Sequence, residues 1–166
     1  MPRKSWSLLA FAVVTTIVAT AQSKADLGQR NTLVGTWKLQ VRESKSDPGP
    51  LPRSEVRTYS EDVQGRMKLS LEGIDADGHT FTYGYVARFD GKDNPMPGTG
   101  TRNGGDTVSI TRIDPYTVAA VVKKAGEVVN KTRLVVSKDG KSLTITETGT
   151  NQRGKETHGV RVYRRE

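Results

Sequence analysis

Arg161 and Tyr163 sit two residues apart in Val160-Arg161-Val162-Tyr163, a spacing that puts both side chains on one face of a β-strand. Those residue types suit an anion. A guanidinium fork can hold a carboxylate with two hydrogen bonds, and a phenolic hydroxyl can add a third. Arg112 shares a strand face with Val108 and Ile110 and could supply a second cation. The same residues also admit a structural role. Glu147 alternates with Leu143 and Ile145, so a buried Glu147–Arg161 pair would satisfy both charges.

Phe81, Tyr83 and Tyr85 form an aromatic stripe which, with Met67, could line the apolar wall of a pocket. The alternative is that they are core. His79 and His158 have no partner at a metal-ligand spacing, and Asp75 and Asp77 beside His79 read as turn chemistry. No metal site and no cofactor are expected. Ser137 and Ser142 have no paired base, Gly98-Thr99-Gly100 precedes no helix, and there is no cysteine to act as nucleophile. No catalytic residue is recognised. An enzyme would have to rest on Glu147 with Arg161 or Tyr163.

The elements that must position these residues are strands. Period-two alternation recurs along the chain, and no apolar 3.6-residue period is long enough for a helix. Gly35, Trp37, Leu39 and Val41 share one face. Met67, Leu69 and Leu71 share another, as do Phe81 to Phe89 at every second position. Val118, Ala120 and Val122 follow the same rule. Gln64-Gly65, Asp77-Gly78, Ala125-Gly126 and Asp139-Gly140 are turn signals. The three prolines of 47–52 mark a loop at a barrel mouth, and 92–105 is the least regular stretch, with room for a short strand near Thr99. The pattern predicts an all-β fold, a single up-and-down antiparallel barrel of 8–10 strands. A β-sandwich is the rival. In Gly35-Thr36-Trp37 the glycine allows a close backbone approach, and the indole is expected to plug one barrel end.

The chain has 166 residues and a formal charge of +8. Its start, with Arg3, Lys4, an apolar run over 8–18 and Ala19-Thr20-Ala21, reads as a signal peptide cleaved after Ala21. That division gives a signal peptide over 1–21, a flexible segment over 22–32 and one barrel domain over 33–166. Loss of Arg3 and Lys4 leaves a charge of +6. Export without cysteine fits a bacterial periplasmic or secreted protein. The charges are interspersed, which argues against a nucleic-acid reader and for a soluble monomer with a weak attraction to anionic envelope surfaces.

Leu33-Val34-Gly35-Thr36-Trp37-Lys38-Leu39 resembles the opening strand of lipocalins and fatty-acid-binding proteins, and Val160-Arg161-Val162-Tyr163 resembles the last strand of the latter. Phe89-Asp90-Gly91-Lys92 and Val136-Ser137-Lys138-Asp139-Gly140-Lys141 are similar to segments of small exported bacterial lipocalin-like proteins. The resemblance to this calycin superfamily implies a β-barrel with an inward-facing Arg161 and Tyr163, and either carboxylate-holding roles for Arg112, Arg161 and Tyr163 or, as in lipocalins, an Arg161 that closes the barrel by packing over Trp37 beside Gly35 through a cation–π contact. The Pro-rich loop replaces the helical lid of the fatty-acid-binding proteins. The expected function is non-catalytic binding of a small hydrophobic or amphipathic molecule, such as a carboxylate-bearing lipid. A filled barrel that works through its loops on a protein partner is the alternative.

Overall fold

A computed structural model of the chain describes residues 31–151 and 153–166. The expected signal peptide, 1–21, and 22–30 of the polar segment 22–32 lie outside the described residues. Eleven strands follow in order: β1 (Gly35–Leu39), β2 (Lys45–Asp47), β3 (Ser54–Glu61), β4 (Met67–Ile74), β5 (Thr80–Ala87), β6 (Asn94–Pro95), β7 (Thr107–Asp114), β8 (Thr117–Lys124), β9 (Glu127–Val136), β10 (Ser142–Thr150) and β11 (Glu156–Arg165). Their burial alternates as the sequence requires. In β4, Met67, Leu69 and Leu71 are buried, whereas Lys68, Ser70 and Glu72 are exposed. A strand with that pattern must lay one face on a core.

The strands form one antiparallel sheet in the order β5-β4-β3-β1-β11-β10-β9-β8-β7-β6. Chain neighbours from β3 to β5 and from β6 to β11 are sheet neighbours, β1 lies between β3 and the last strand, and β2 sits off this path against β11. The sheet then closes on itself. Gly98, just after β6, bridges Tyr83 of β5. Gly84 N–H donates to the Pro97 carbonyl at 3.1 Å, and Thr99 N–H donates to the Thr82 carbonyl at 2.8 Å. The architecture is an up-and-down antiparallel barrel rather than a sandwich, and closure removes the open edges that a sheet would otherwise expose.

The first strand is shorter than its alternation implies. It breaks after Leu39 into a single 3₁₀ turn, Val41–Glu43, and Val41 is 39% exposed rather than facing the core. The chain then resumes as β2 against β11. Ser44 holds the break together. Its hydroxyl donates to the Gln40 carbonyl at 2.8 Å and accepts the Val162 N–H at 3.0 Å. The Pro-rich stretch after β2 is a loop, as expected.

One barrel end is closed around Trp37, which is completely buried and donates its indole N–H to the Leu33 carbonyl at 2.9 Å. The cation over this ring belongs to Arg165, not Arg161, and lies 4.1 Å from the centroid. Register explains the difference: Arg165 pairs directly with Trp37, whereas Arg161 pairs with Ile145. Arg165 also donates to the carbonyls of Thr32, Val34 and Gly140. It thus ties the start of the barrel to its last two hairpins. Gly35 matters for this side chain rather than for a backbone approach, because a Cβ there would collide with the Arg165 guanidinium.

Aspartates lock the hairpins. Backbone N–H donors hold the carboxyls of Asp62, Asp75 and Asp114 below the ordinary carboxylate range, with Arg66, His79 and Tyr116 respectively the leading donors. For Asp139 the Ser137 hydroxyl leads. A depressed folded-state pKa stabilises above the unfolded value of about 3.9, and that contribution is lost as pH falls further. Acid titration followed by circular dichroism should therefore show flat stability from neutrality to about pH 4.5 and a decline below about pH 4. Gly98→Ala should strain the closing seam, because a Cβ would meet the Thr82 carbonyl and Tyr83 at a φ of +146°. Urea denaturation should register a loss of about 2 kcal/mol or more.

Candidate functional site

The inward face of β3 carries Glu55, Arg57 and Tyr59, all buried. The hairpin register puts them there. Arg57 pairs with Leu71 and Tyr59 with Leu69, and directly paired residues share a face. Arg57 donates through Nε to Glu55 Oε1 at 2.7 Å and to the Tyr163 hydroxyl at 3.1 Å. Its Nη1 donates to the Tyr59 hydroxyl at 3.2 Å, and its Nη2 to the Tyr83 hydroxyl at 3.1 Å. Tyr163 in turn donates to Glu55 Oε1 at 2.6 Å. Burial pulls the Arg57 guanidinium downward, but Tyr163, Tyr83, Glu55 and Tyr59 outweigh it and leave the group well above its ordinary value. Arg57 is therefore a permanent cation inside the barrel.

A second ion pair lies across β10 and β11, where Arg161 Nη1 stands 2.8 Å from Glu147 Oε1. Gly159 makes room for it, since a Cβ there would press on the Glu147 carboxylate at 2.9 Å. Arg161 is only 3% exposed; its Nη1 lies within ion-pair distance of Glu147 but out of hydrogen-bond alignment, and neither Nη1 nor Nε makes a hydrogen bond among the described residues. A buried donor left in that condition calls for an acceptor.

Between these clusters lies a cavity of about 30 Å³ inside the barrel, lined on its polar side by Arg57, Tyr59, Tyr83, Tyr85, Thr132 and Glu147. Leu69, Met96, Val108, Ala120, Val122 and Leu134 complete it. This is room for about one water molecule, so the barrel is almost filled by its own side chains. Larger concavities are open grooves, among them one of about 600 Å³ over β4, β5 and Pro95–Pro97.

The expected site residues separate into three places. Tyr83 and Tyr85 line the cavity, and Tyr163 joins the Arg57 cluster. Arg161 is buried beside Glu147 rather than aligned with Arg112. Arg112 is half-buried with its guanidinium 4.1 Å from the centroid of Phe89 and is not part of the cavity lining. Met67 is fully buried in the core and Phe81 packs near Gly73 and Gly100, both outside the lining. Glu55, Arg57 and Tyr59 escape a reading by hydropathy because the residues between them, Val56 and Thr58, look like the buried face. The signal that finds them is the hairpin at Gln64-Gly65, which places this trio opposite inward Leu69 and Leu71. Asp75, Asp77 and His79 lie close together, but Asp75 Oδ1 accepts the N–H groups of Asp77 and His79, which is the expected turn chemistry.

No protein-family model and no curated protein matches the sequence. Solved structures do resemble it. The wild-type fluorescent protein UnaG is 16% identical over 80% of this chain and 96% of its own, with a TM-score of 0.52. Zebrafish ileal bile acid-binding protein, solved with cholic acid, is 11% identical over 81% of this chain and 99% of its own, with a TM-score of 0.47. A redesigned β-barrel is 13% identical over 81% of this chain and 92% of its own, with a TM-score of 0.46. The likeness bears on the fold alone, an all-β, up-and-down antiparallel barrel.

Removing Arg57 alone takes from the buried Glu55 its ion-pair partner, which costs about 3–5 kcal/mol. Arg57→Leu should therefore lose stability on that scale in urea denaturation. Glu55→Leu/Arg57→Leu should recover a substantial part of the loss, and the double-mutant cycle measures the coupling.

Proposed function

We propose that this protein is an exported, non-catalytic binding barrel for a small amphipathic molecule that occupies the interior between the two buried ion pairs. The observation that carries the reading is the convergence of Arg57, Tyr59, Tyr83 and Tyr85 with Glu147 on an otherwise apolar cavity. A core built for stability alone gains little from such groups, because apolar residues of similar volume replace buried ion pairs with no loss or a gain. A pocket, by contrast, needs a few polar groups set into an apolar wall to orient its ligand.

The present volume is too small for such a ligand, so binding must displace a side chain. Met96 is the candidate, being buried, flexible and carried on the seam after the two-residue β6. The Asn94–Gly100 segment is then the entrance. A barrel that stays filled and acts through its outer surface is the second reading, and the 30 Å³ volume is the observation that favours it.

Native mass spectrometry of the protein isolated from its host's envelope tests both. A mature chain beginning at Gln22 and carrying a reproducible adduct, lost on denaturation, is the expected result. An adduct-free chain that also takes up no small amphiphile, even after Met96→Ala, would leave the filled barrel.

A further inference from the structure

The seam that closes the barrel has a definite register. Gly98 bridges Tyr83 in antiparallel fashion, which sets Pro97 opposite Gly84 and Pro95 opposite Val86. Gly84 N–H donates to the Pro97 carbonyl at 3.1 Å, and Thr99 N–H to the Thr82 carbonyl at 2.8 Å. Positions that exchange hydrogen bonds across an antiparallel pair recur at every second residue. Thr82, Gly84 and Val86 therefore turn their backbone groups toward the seam. Opposite Gly84 and Val86 stand two prolines, which have no N–H to return. Met96, between them, gives its N–H to the Asp106 carbonyl at 2.9 Å, on the side away from β5. The carbonyls of Gly84 and Val86 thus receive no ladder hydrogen bond from Pro95, Met96 or Pro97. A different residue at either proline would supply the donor.

The opposite edge of the same segment is held. Asn94 and Pro95 pair with Val108 and Thr107 of β7, and Gly91 N–H donates to the Ile110 carbonyl at 3.0 Å. Local opening follows the line with the fewest hydrogen bonds, so the segment parts from β5 and stays on β7. Outside that line lies the groove of about 600 Å³, bordered by Val86, Pro95 and Pro97. Inside it lies the cavity, bordered by Met96. Tyr83 and Tyr85 border both. At Met96 a single layer of wall separates the groove from the interior.

We infer that Pro95 and Pro97 make the line between β5 and β6 a gate to the barrel interior, by withholding two hydrogen bonds that would otherwise fasten it. Its service as a ligand entrance rests on the reading of the interior as a binding site. The gate itself is a property of the backbone and opens with or without a ligand.

Methionine oxidation reads the gate directly. Met96 is buried on the seam, whereas Met67 is fully buried on β4, which is paired on both sides. Wild-type protein in dilute hydrogen peroxide at pH 7, followed by peptide mass spectrometry, should show Met96 oxidised at least tenfold faster than Met67. Pro95→Ala/Pro97→Ala supplies both missing donors and should slow Met96 about tenfold without slowing Met67. Each single variant should give part of that effect, and Pro50→Ala, in the loop after β2, none. Hydrogen exchange at the Gly84 amide should slow in parallel with Met96. Met96 oxidised as slowly as Met67 in the wild type overturns the gate, and so does an unchanged Met96 rate in the folded double variant or in both single variants. Neither result bears on whether the interior binds a ligand, which the adduct measurement decides separately.

Discussion

A guanidinium at the centre of a barrel constrains everything around it. Arg57 is a cation with no access to water, so its N–H groups must find acceptors within the wall. They come from Glu55 and Tyr59 on its own strand, from Tyr83 on β5 and from Tyr163 on β11. Neither β5 nor β11 is a sheet neighbour of β3. The side chain therefore braces parts of the wall that backbone hydrogen bonds do not join, and the partner strands are fixed in register by a contact that spans 106 residues of sequence at Tyr163. Such a network is satisfied only as a whole, which is why its members rise or fall together.

The second ion pair is built differently. Arg161 and Glu147 come from adjacent strands and meet because Gly159 leaves space for the carboxylate. Arg161 makes no hydrogen bond through Nε or Nη1 among the described residues, whereas Arg57 uses all three of its nitrogens. Arg57 and Glu147 thus reach the cavity from different parts of the wall, and Val108, Ala120 and Val122 of β7 and β8 help to complete it.

Much of this was legible in the sequence wherever hydropathy and strand period agreed. Met67, Leu69 and Leu71, Val118 to Val122, and Leu143 with Ile145 alternate as read, and the turns fall at their glycines. The closed meander follows from them. The reading fell short where one residue type serves two ends. Arg161 and Arg165 lie on the same strand four residues apart, and only register decides which reaches Trp37. Glu55 and Arg57 look like an outer face until the partner strand is considered. Val41 continues an alternation that the backbone abandons at Gln40, because the Ser44 hydroxyl offers the chain another set of hydrogen bonds.

Closure and filling act against each other in this fold. Most of the wall is held by long paired strands, such as the nine residue pairs joining β10 to β11. The seam between β5 and β7 is spanned instead by a two-residue strand and a short stretch of irregular chain. Local opening free energy is lowest where few backbone hydrogen bonds and little buried surface hold a segment. The buried Met96 is carried by that same segment. A side chain that lines the cavity is therefore attached to the part of the wall with the fewest paired residues, so any displacement of Met96 would also disturb the seam. Glu55, Arg57, Tyr59 and Tyr163 belong to β3 and β11, away from that segment.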